Sequence, residues 1–263
     1  MKEICRDLED EYQGLDDIVA KLDETGWALI THCAGWSIKE QISHIAFFDA
    51  AAREAITDAA AFALSSELLF KDLDSFDTFS QRTLARGRRM SVSELLSWWR
   101  TERSLLMNEL VNLAPKARLP WYGPPMSAKS FVTARLMETW AHGQDVADAL
   151  KIRRAPGDRL RHIAHLGIRT FGWSFANRSL PVPEKPVRVE LTAPSRSLWI
   201  WGSENAADLV RGKAEDFCLV VTQRRHPDDT GLEIRGDVAA EWMKIAQAFA
   251  GPPDNGPPPG MFR

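Results

Sequence analysis

With 263 residues, 44% hydrophobic and 26% charged, the chain has the length of one large or two ordinary domains and the composition of a soluble globular protein. A formal charge of −3 and a pI near 6.1 argue against nucleic acid or an anionic membrane as the main partner. Cys5, Cys33 and Cys218 are odd in number and far apart, which argues against a disulfide framework. The first residues carry charges where a signal peptide needs an apolar core, and no apolar run approaches the ~20 residues that span a bilayer. A cytoplasmic protein is the expectation.

In chain order, Leu8, Tyr12, Leu15, Ile18, Val19 and Leu22 recur at helical spacing, and Gly26 is placed to end that helix. Ser37-Ile-Lys-Glu40 is a capping-box pattern opening a second helix to about Asp58, with Ile38, Ile42, Ile45, Phe48 and Ala52 as its apolar face. Residues 58 to 90 are less regular and predict a short helix within a crossover connection. Leu95, Leu96, Trp99, Leu106 and Leu110 mark a third helix over about 92–113, closed by Pro115 and Pro120. A fourth follows over about 128–149. These segments predict a four-helix bundle.

A further helix over about 158–175 bridges to a second domain, and Pro181-Val-Pro-Glu-Lys-Pro186 breaks the pattern. Strand-like runs follow at 187–191, 198–201, 217–222 and 232–234, then a helix over about 238–249. The expected fold is α+β: a helical bundle with its bridging helix over 1–180, a small α+β domain of sterol-carrier-like element order over 181–250, and a Pro/Gly-rich tail over 251–263. The tail is read as disordered or laid extended over a neighbour.

Arg135, Glu138, His142 and Asp145 recur at three- and four-residue steps on the fourth helix. Glu138 and His142 can aim a carboxylate and an imidazole at one point. His44 lies in an apolar arc beside Phe48, where an imidazole needs a partner. Two imidazoles and a carboxylate suit a zinc-like ion with a position left open, nickel, iron or manganese being compatible. A solvated helix face for Glu138 and His142, with a satisfied core histidine at 44, is the competing reading. Asp145 could orient a ligand from one turn away, or lie on the surface. Arg135 could hold a substrate carboxylate or pair with Glu138. Arg224 and Arg225 offer two guanidiniums to an acidic substrate, although surface charge is the commoner fate of such a pair.

The segment Gly35-Trp-Ser-Ile-Lys-Glu-Gln-Ile-Ser-His44 resembles the first metal-binding helix of the DinB-like superfamily. With Glu138-Thr-Trp-Ala-His-Gly-Gln-Asp145, it is similar to the metal-binding domain of mycothiol-dependent maleylpyruvate isomerases. The resemblance covers roughly the first 150 residues and implies His44, Glu138 and His142 as metal ligands. Outside those motifs the chain looks like a distinct branch. The resemblance further implies a metal-activated low-molecular-weight thiol, such as mycothiol, used for isomerisation or S-transfer on a small electrophilic or acidic substrate. Two alternatives stay open: a hydrolase or hydratase acting through metal-bound water, and a small-ligand-binding protein without catalysis. A homodimer paired through Trp98 or Trp173 is also compatible.

Overall fold

In the computed structural model, which describes residues 1–33 and 35–262, two of the long helices begin at capping boxes that satisfy their exposed amides. Ser37 accepts from the Glu40 amide while the Glu40 carboxylate accepts from the Ser37 amide at 2.8 Å, which opens α3 (Ile38–Thr57). Ser91 and Glu94 repeat the device at α6 (Val92–Leu110), with a reciprocal bond of 2.7 Å. The chain divides into two compact units, Met1–Arg153 and Arg154–Arg263.

The first unit contains, besides these, α1 (Lys2–Val19), α2 (Glu24–Trp27), α4 (Ala59–Phe70), α5 (Phe76–Arg89), the short antiparallel pair β1 (Arg118–Leu119) and β2 (Met126–Ser127), and α7 (Ala128–Leu150). The helices α1, α3, α6 and α7 form the bundle, with α3 packed on both α6 and α7 and α1 on α7. Its core includes Leu8, Leu15, Ile42, Trp99, Phe131 and Leu136. Two expectations need correction here. The first helix ends at Val19, and Gly26 lies inside α2, where Asp23 caps it by accepting from the Gly26 amide at 2.8 Å. The single short helix expected between residues 58 and 90 is two helices, capped by Asp58 and Ser75. The near-uniform apolar run Ala-Ala-Ala-Phe-Ala-Leu in α4 has no polar face to give it a helical period.

Gly87 of α5 is set by packing. A Cβ there would stand 2.0 Å from Ser43 Oγ, so only glycine lets α5 lie this close to α3 beside His44. Across the bundle, Arg100 donates two hydrogen bonds to Asp16, at 2.9 and 2.5 Å, and Arg103 a third, tying α6 to α1. Of the two tryptophans named for a possible pairing, Trp98 is 7% exposed and lies under the Arg86 guanidinium, 4.2 Å from the ring centroid, while Trp173 is 42% exposed.

The second unit comprises α8 (Leu160–Arg169), α9 (Phe171–Ala176), β3 (Val187–Thr192), β4 (Leu198–Trp201), β5 (Asp208–Lys213), α10 (Ala214–Val221), β6 (Glu233–Arg235) and α11 (Asp237–Ile245). Its sheet has the order β4-β3-β5-β6, with β3 and β5 parallel and the other pairs antiparallel. The strand expected at 217–222 is helical, and β5 supplies the strand instead. A short continuous apolar run fits either state; here Glu215 and Asp216 place negative charge in the first turn, where a helix favours it. The helix expected to bridge the domains belongs to this unit and is divided between α8 and α9, so the structure parts at 153/154 rather than at 180. The tail lies along its own unit: the Asp254 carbonyl accepts from Arg178 and Gln223, and the Gly260 amide donates to Asp229 at 2.8 Å. Among the described residues no helix is long and apolar enough to cross a membrane.

Candidate metal centre

The packing of α3 on α7 brings one imidazole from each helix to the same place. The rings of His44 and His142 lie 4.5 Å apart, centroid to centroid. Glu138, one turn before His142, places Oε2 3.3 Å from His142 Nε2 and 4.0 Å from His44 Nε2. One ligand atom from each of the three residues lies within 4.8 Å of the other two. Zinc bonds of about 2.0–2.2 Å at a tetrahedral angle put neighbouring ligand atoms ~3.3 Å apart. Glu138 and His142 already stand at that spacing, and His44 is within a side-chain adjustment of it. The residues present therefore fit a divalent cation.

The side chains are not a solvated stripe. Arg135, His142 and Asp145 are all buried, and among the three candidate ligands exposure falls mainly on Glu138, whose side chain is 27% accessible. Burial pushes the Glu138 carboxyl up. The hydrogen bond and charge of His142, with the charges of His44 and Arg135, outweigh it and bring the pKa down to about 2. The carboxylate is thus ionised throughout the neutral range and needs no proton removed before it ligates.

Which nitrogen His142 offers is decided by a neighbour that the sequence alone does not single out. Gln41 Oε1 lies 2.6 Å from His142 Nδ1, while Gln41 Nε2 donates to Thr31 Oγ1 at 2.7 Å, and Thr31 in turn donates to the Trp36 carbonyl at 2.8 Å. This chain of donors fixes the Gln41 amide with its oxygen toward the imidazole, so Nδ1 carries the proton and Nε2 the lone pair. Asp145 Oδ2, 3.4 Å from the same Nδ1, adds its charge from one turn away. Asp145 is therefore buried against the ligand's far side rather than on the surface. A second group of potential ligands, Cys33, His142 and Asp145, also converges. It would need the Nδ1 lone pair that the proton shared with Gln41 occupies, so the geometry favours the set built on Nε2. Gln41→Leu is expected to weaken metal affinity about 10- to 100-fold in a chelator competition, while Gln41→Glu, which keeps an acceptor, retains it. Equal affinity in both variants would show that the amide orients nothing.

Arg135 is committed to a different partner from those expected. It is 3% exposed, beyond the reach of a substrate carboxylate, and its guanidinium donates to Asp49 Oδ1 from Nε at 3.1 Å and Nη2 at 2.9 Å. Tyr12 donates to the same oxygen at 2.6 Å; its hydroxyl stays protonated because burial, then the Asp49 charge, push its pKa well up. In the sequence, Asp49 and Tyr12 are legible only as polar atoms within apolar runs. Arg224 and Arg225 belong to the second unit. Arg224 donates to the Thr222 carbonyl and Arg225 to the Arg224 carbonyl, each at 2.7 Å, and the Arg225 guanidinium lies 3.9 Å from the Phe262 ring centroid.

Known proteins resemble the chain in three ways. Residues 8–147 match the family model of the mycothiol maleylpyruvate isomerase N-terminal domain, and residues 183–232 match that of wyosine base formation. Two uncharacterized proteins of Mycobacterium tuberculosis, from strains CDC 1551 and H37Rv, are each 46% identical over 250 residues, covering 95% of this chain and 96% of their own length. Among solved structures, a crystal structure of a histidine-to-alanine mutant of mycothiol-dependent maleylpyruvate isomerase is similar at a TM-score of 0.60, covering 89% of this chain and 92% of that one. A crystal structure of the mycothiol-dependent maleylpyruvate isomerase gives 0.57, over 85% and 89%. At 13% identity both likenesses concern the fold.

Proposed function

The chain belongs to the family of the mycothiol maleylpyruvate isomerase N-terminal domain, and we propose from this premise that it is a divalent-metal-dependent enzyme using a low-molecular-weight thiol, mycothiol or a close analogue. The thiol would act in isomerisation or S-transfer on a small electrophile. Zinc suits the ligand set best. The observation that carries the reading is the convergence of His44, Glu138 and His142, with Gln41 Oε1 2.6 Å from His142 Nδ1.

When bound, a divalent cation favours thiolate over thiol at neutral pH, which supplies the nucleophile for either reaction. Everything else falls to the chain. Glu138 brings one negative charge, already formed, and is the most accessible of the three ligands, so the open side of the site lies toward it. His142 is held rigid by Gln41 and Asp145, and His44 by the rings around it: Phe48 at 4.6 Å and Trp36 at 5.0 Å between centroids. These rings keep water from two sides of the His44 imidazole and lower the local dielectric, which strengthens its bond to a cation.

The test is spectroscopic. Cobalt-loaded protein titrated with mycothiol is expected to gain a near-ultraviolet sulfur-to-cobalt band that His142→Ala lacks. An unchanged spectrum at saturating thiol defeats the thiol reading.

A further inference from the structure

We propose that a closed circuit of five rings beside the ligand set seats the electrophile, and that it takes an apolar group of aromatic size rather than a small dicarboxylate. The inference rests on the metal-and-thiol reading above and names the substrate class of that site. Around the circuit the centroid separations are His44–Trp36 5.0 Å, Trp36–Phe76 6.4 Å, Phe76–Phe79 6.2 Å, Phe79–Phe48 6.2 Å and Phe48–His44 4.6 Å. Three segments contribute: the turn before α3, α3 itself and the start of α5. One wall, His44, is also a candidate metal ligand, so a group resting on the rings is held beside whatever occupies the open metal position.

Burial across the circuit is uneven in an informative way. Trp36 and Phe48 are each 7% exposed, whereas Phe76 is 51% exposed. The array continues outward from Phe79 to Phe70, at 5.9 Å, and Phe70 is 42% exposed. Among the described residues of the first unit, Phe70 and Phe76 are the aromatic members of the exposed large hydrophobics, and both stand in this one array. Rings left in water beside a ligand set cost burial that packing would otherwise recover, and a bound apolar group recovers it.

The charges point the same way. A dicarboxylate leaving water needs guanidinium or ammonium partners. Arg135, whose charge acts on Glu138, is buried and bound to Asp49. On α5, Arg82 donates to the carbonyls of Leu69 and Lys71. Arg88 donates to Glu40, Arg86 lies over the Trp98 ring and Arg89 donates to the Ala85 carbonyl, so the lining of the circuit itself is aromatic.

The experiment is calorimetric titration of the zinc-loaded full chain with two thioethers of N-acetylcysteine, one S-(4-nitrobenzyl) and one S-(1,2-dicarboxyethyl). The nitrobenzyl thioether is expected to bind at least about tenfold tighter, with the aromatic group taking the contact area. Phe76→Ala, a change at a half-exposed site, is expected to weaken it about fivefold or more, leaving zinc content and dicarboxyethyl binding unchanged. Equal or tighter binding of the dicarboxyethyl thioether overturns the proposal. So does unchanged nitrobenzyl binding in both Phe76→Ala and Phe79→Ala, or zinc uptake with neither thioether bound. Failure of wild type to take up zinc is a different result: it defeats the metal reading, and this inference with it.

Discussion

Alanine at His142 is expected to strip the metal from the protein more completely than alanine at His44. The reason lies in what each change leaves behind. In His44→Ala, Glu138 and His142 persist as a pair on one helix, already at ligand spacing with 3.3 Å between their ligand atoms. In His142→Ala, the remaining ligands sit on different helices with 4.0 Å between them. That change also leaves the Gln41 amide and the Asp145 carboxylate without the imidazole they orient. Glu138→Gln keeps the shape but removes the one anionic ligand. Each loss of affinity should exceed the roughly 10- to 100-fold cost of removing an outer partner such as Gln41. Elemental analysis after dialysis gives the first measure, and the second is thermal: zinc should raise the melting temperature of wild type and not that of His142→Ala. Equal metal content in wild type and all three variants removes the site.

The bundle and the convergence of Glu138 and His142 are legible in the sequence because each leaves a local signature. Ser37 and Glu40, with the apolar positions of α3, announce a helix start, and Glu138 and His142 declare a shared face by being four residues apart. The residues that support the ligands leave weaker signals. Gln41 looks like an ordinary polar residue on a helix, and only the packing of α3 on α7 shows that its oxygen meets His142. Asp49 is hidden within the run Phe47-Phe-Asp-Ala-Ala, and its partner Arg135 lies 86 residues away. Arg135 looks like a surface or substrate-facing charge because period alone does not say which face a neighbouring helix covers. In the second unit, 217–222 misleads for a related reason, since a short apolar run lacks the polar positions that distinguish a period of two from one of 3.6.

Replacing Arg135 by methionine is expected to cost about 3–5 kcal/mol of stability, because it leaves the Asp49 carboxylate buried without its cation. Asp49 is fully buried, and after the change only the Tyr12 hydroxyl is left of the donors on Oδ1 described above. The loss should depend on pH in a specific direction. Burial already pushes the Asp49 carboxyl above its ordinary value, against the opposing pull of Arg135. Removing Arg135 raises it further, so folded Asp49 takes up a proton more readily than unfolded Asp49. Both folded values lie above the unfolded pKa of about 4, so the variant's deficit should be smallest below the wild-type folded value and grow until pH passes the variant's higher one. Denaturant melts of wild type and Arg135→Met at several pH values between about 4 and 8 give the curve. A deficit independent of pH would show that Asp49 is not the group left stranded. The double variant Arg135→Met/Asp49→Leu should recover part of the loss, since it removes both charges and leaves only the Tyr12 hydroxyl short of an acceptor. The cluster also bears on the candidate metal site. It joins α1, α3 and α7, and Arg135 lies one turn before Glu138 with Nη2 3.5 Å from the Ile45 carbonyl, next to His44. A buried ion pair whose net stabilisation is small can still fix how far apart two helices stand, and Asp49 and Arg135 join the same two helices that carry His44, Glu138 and His142.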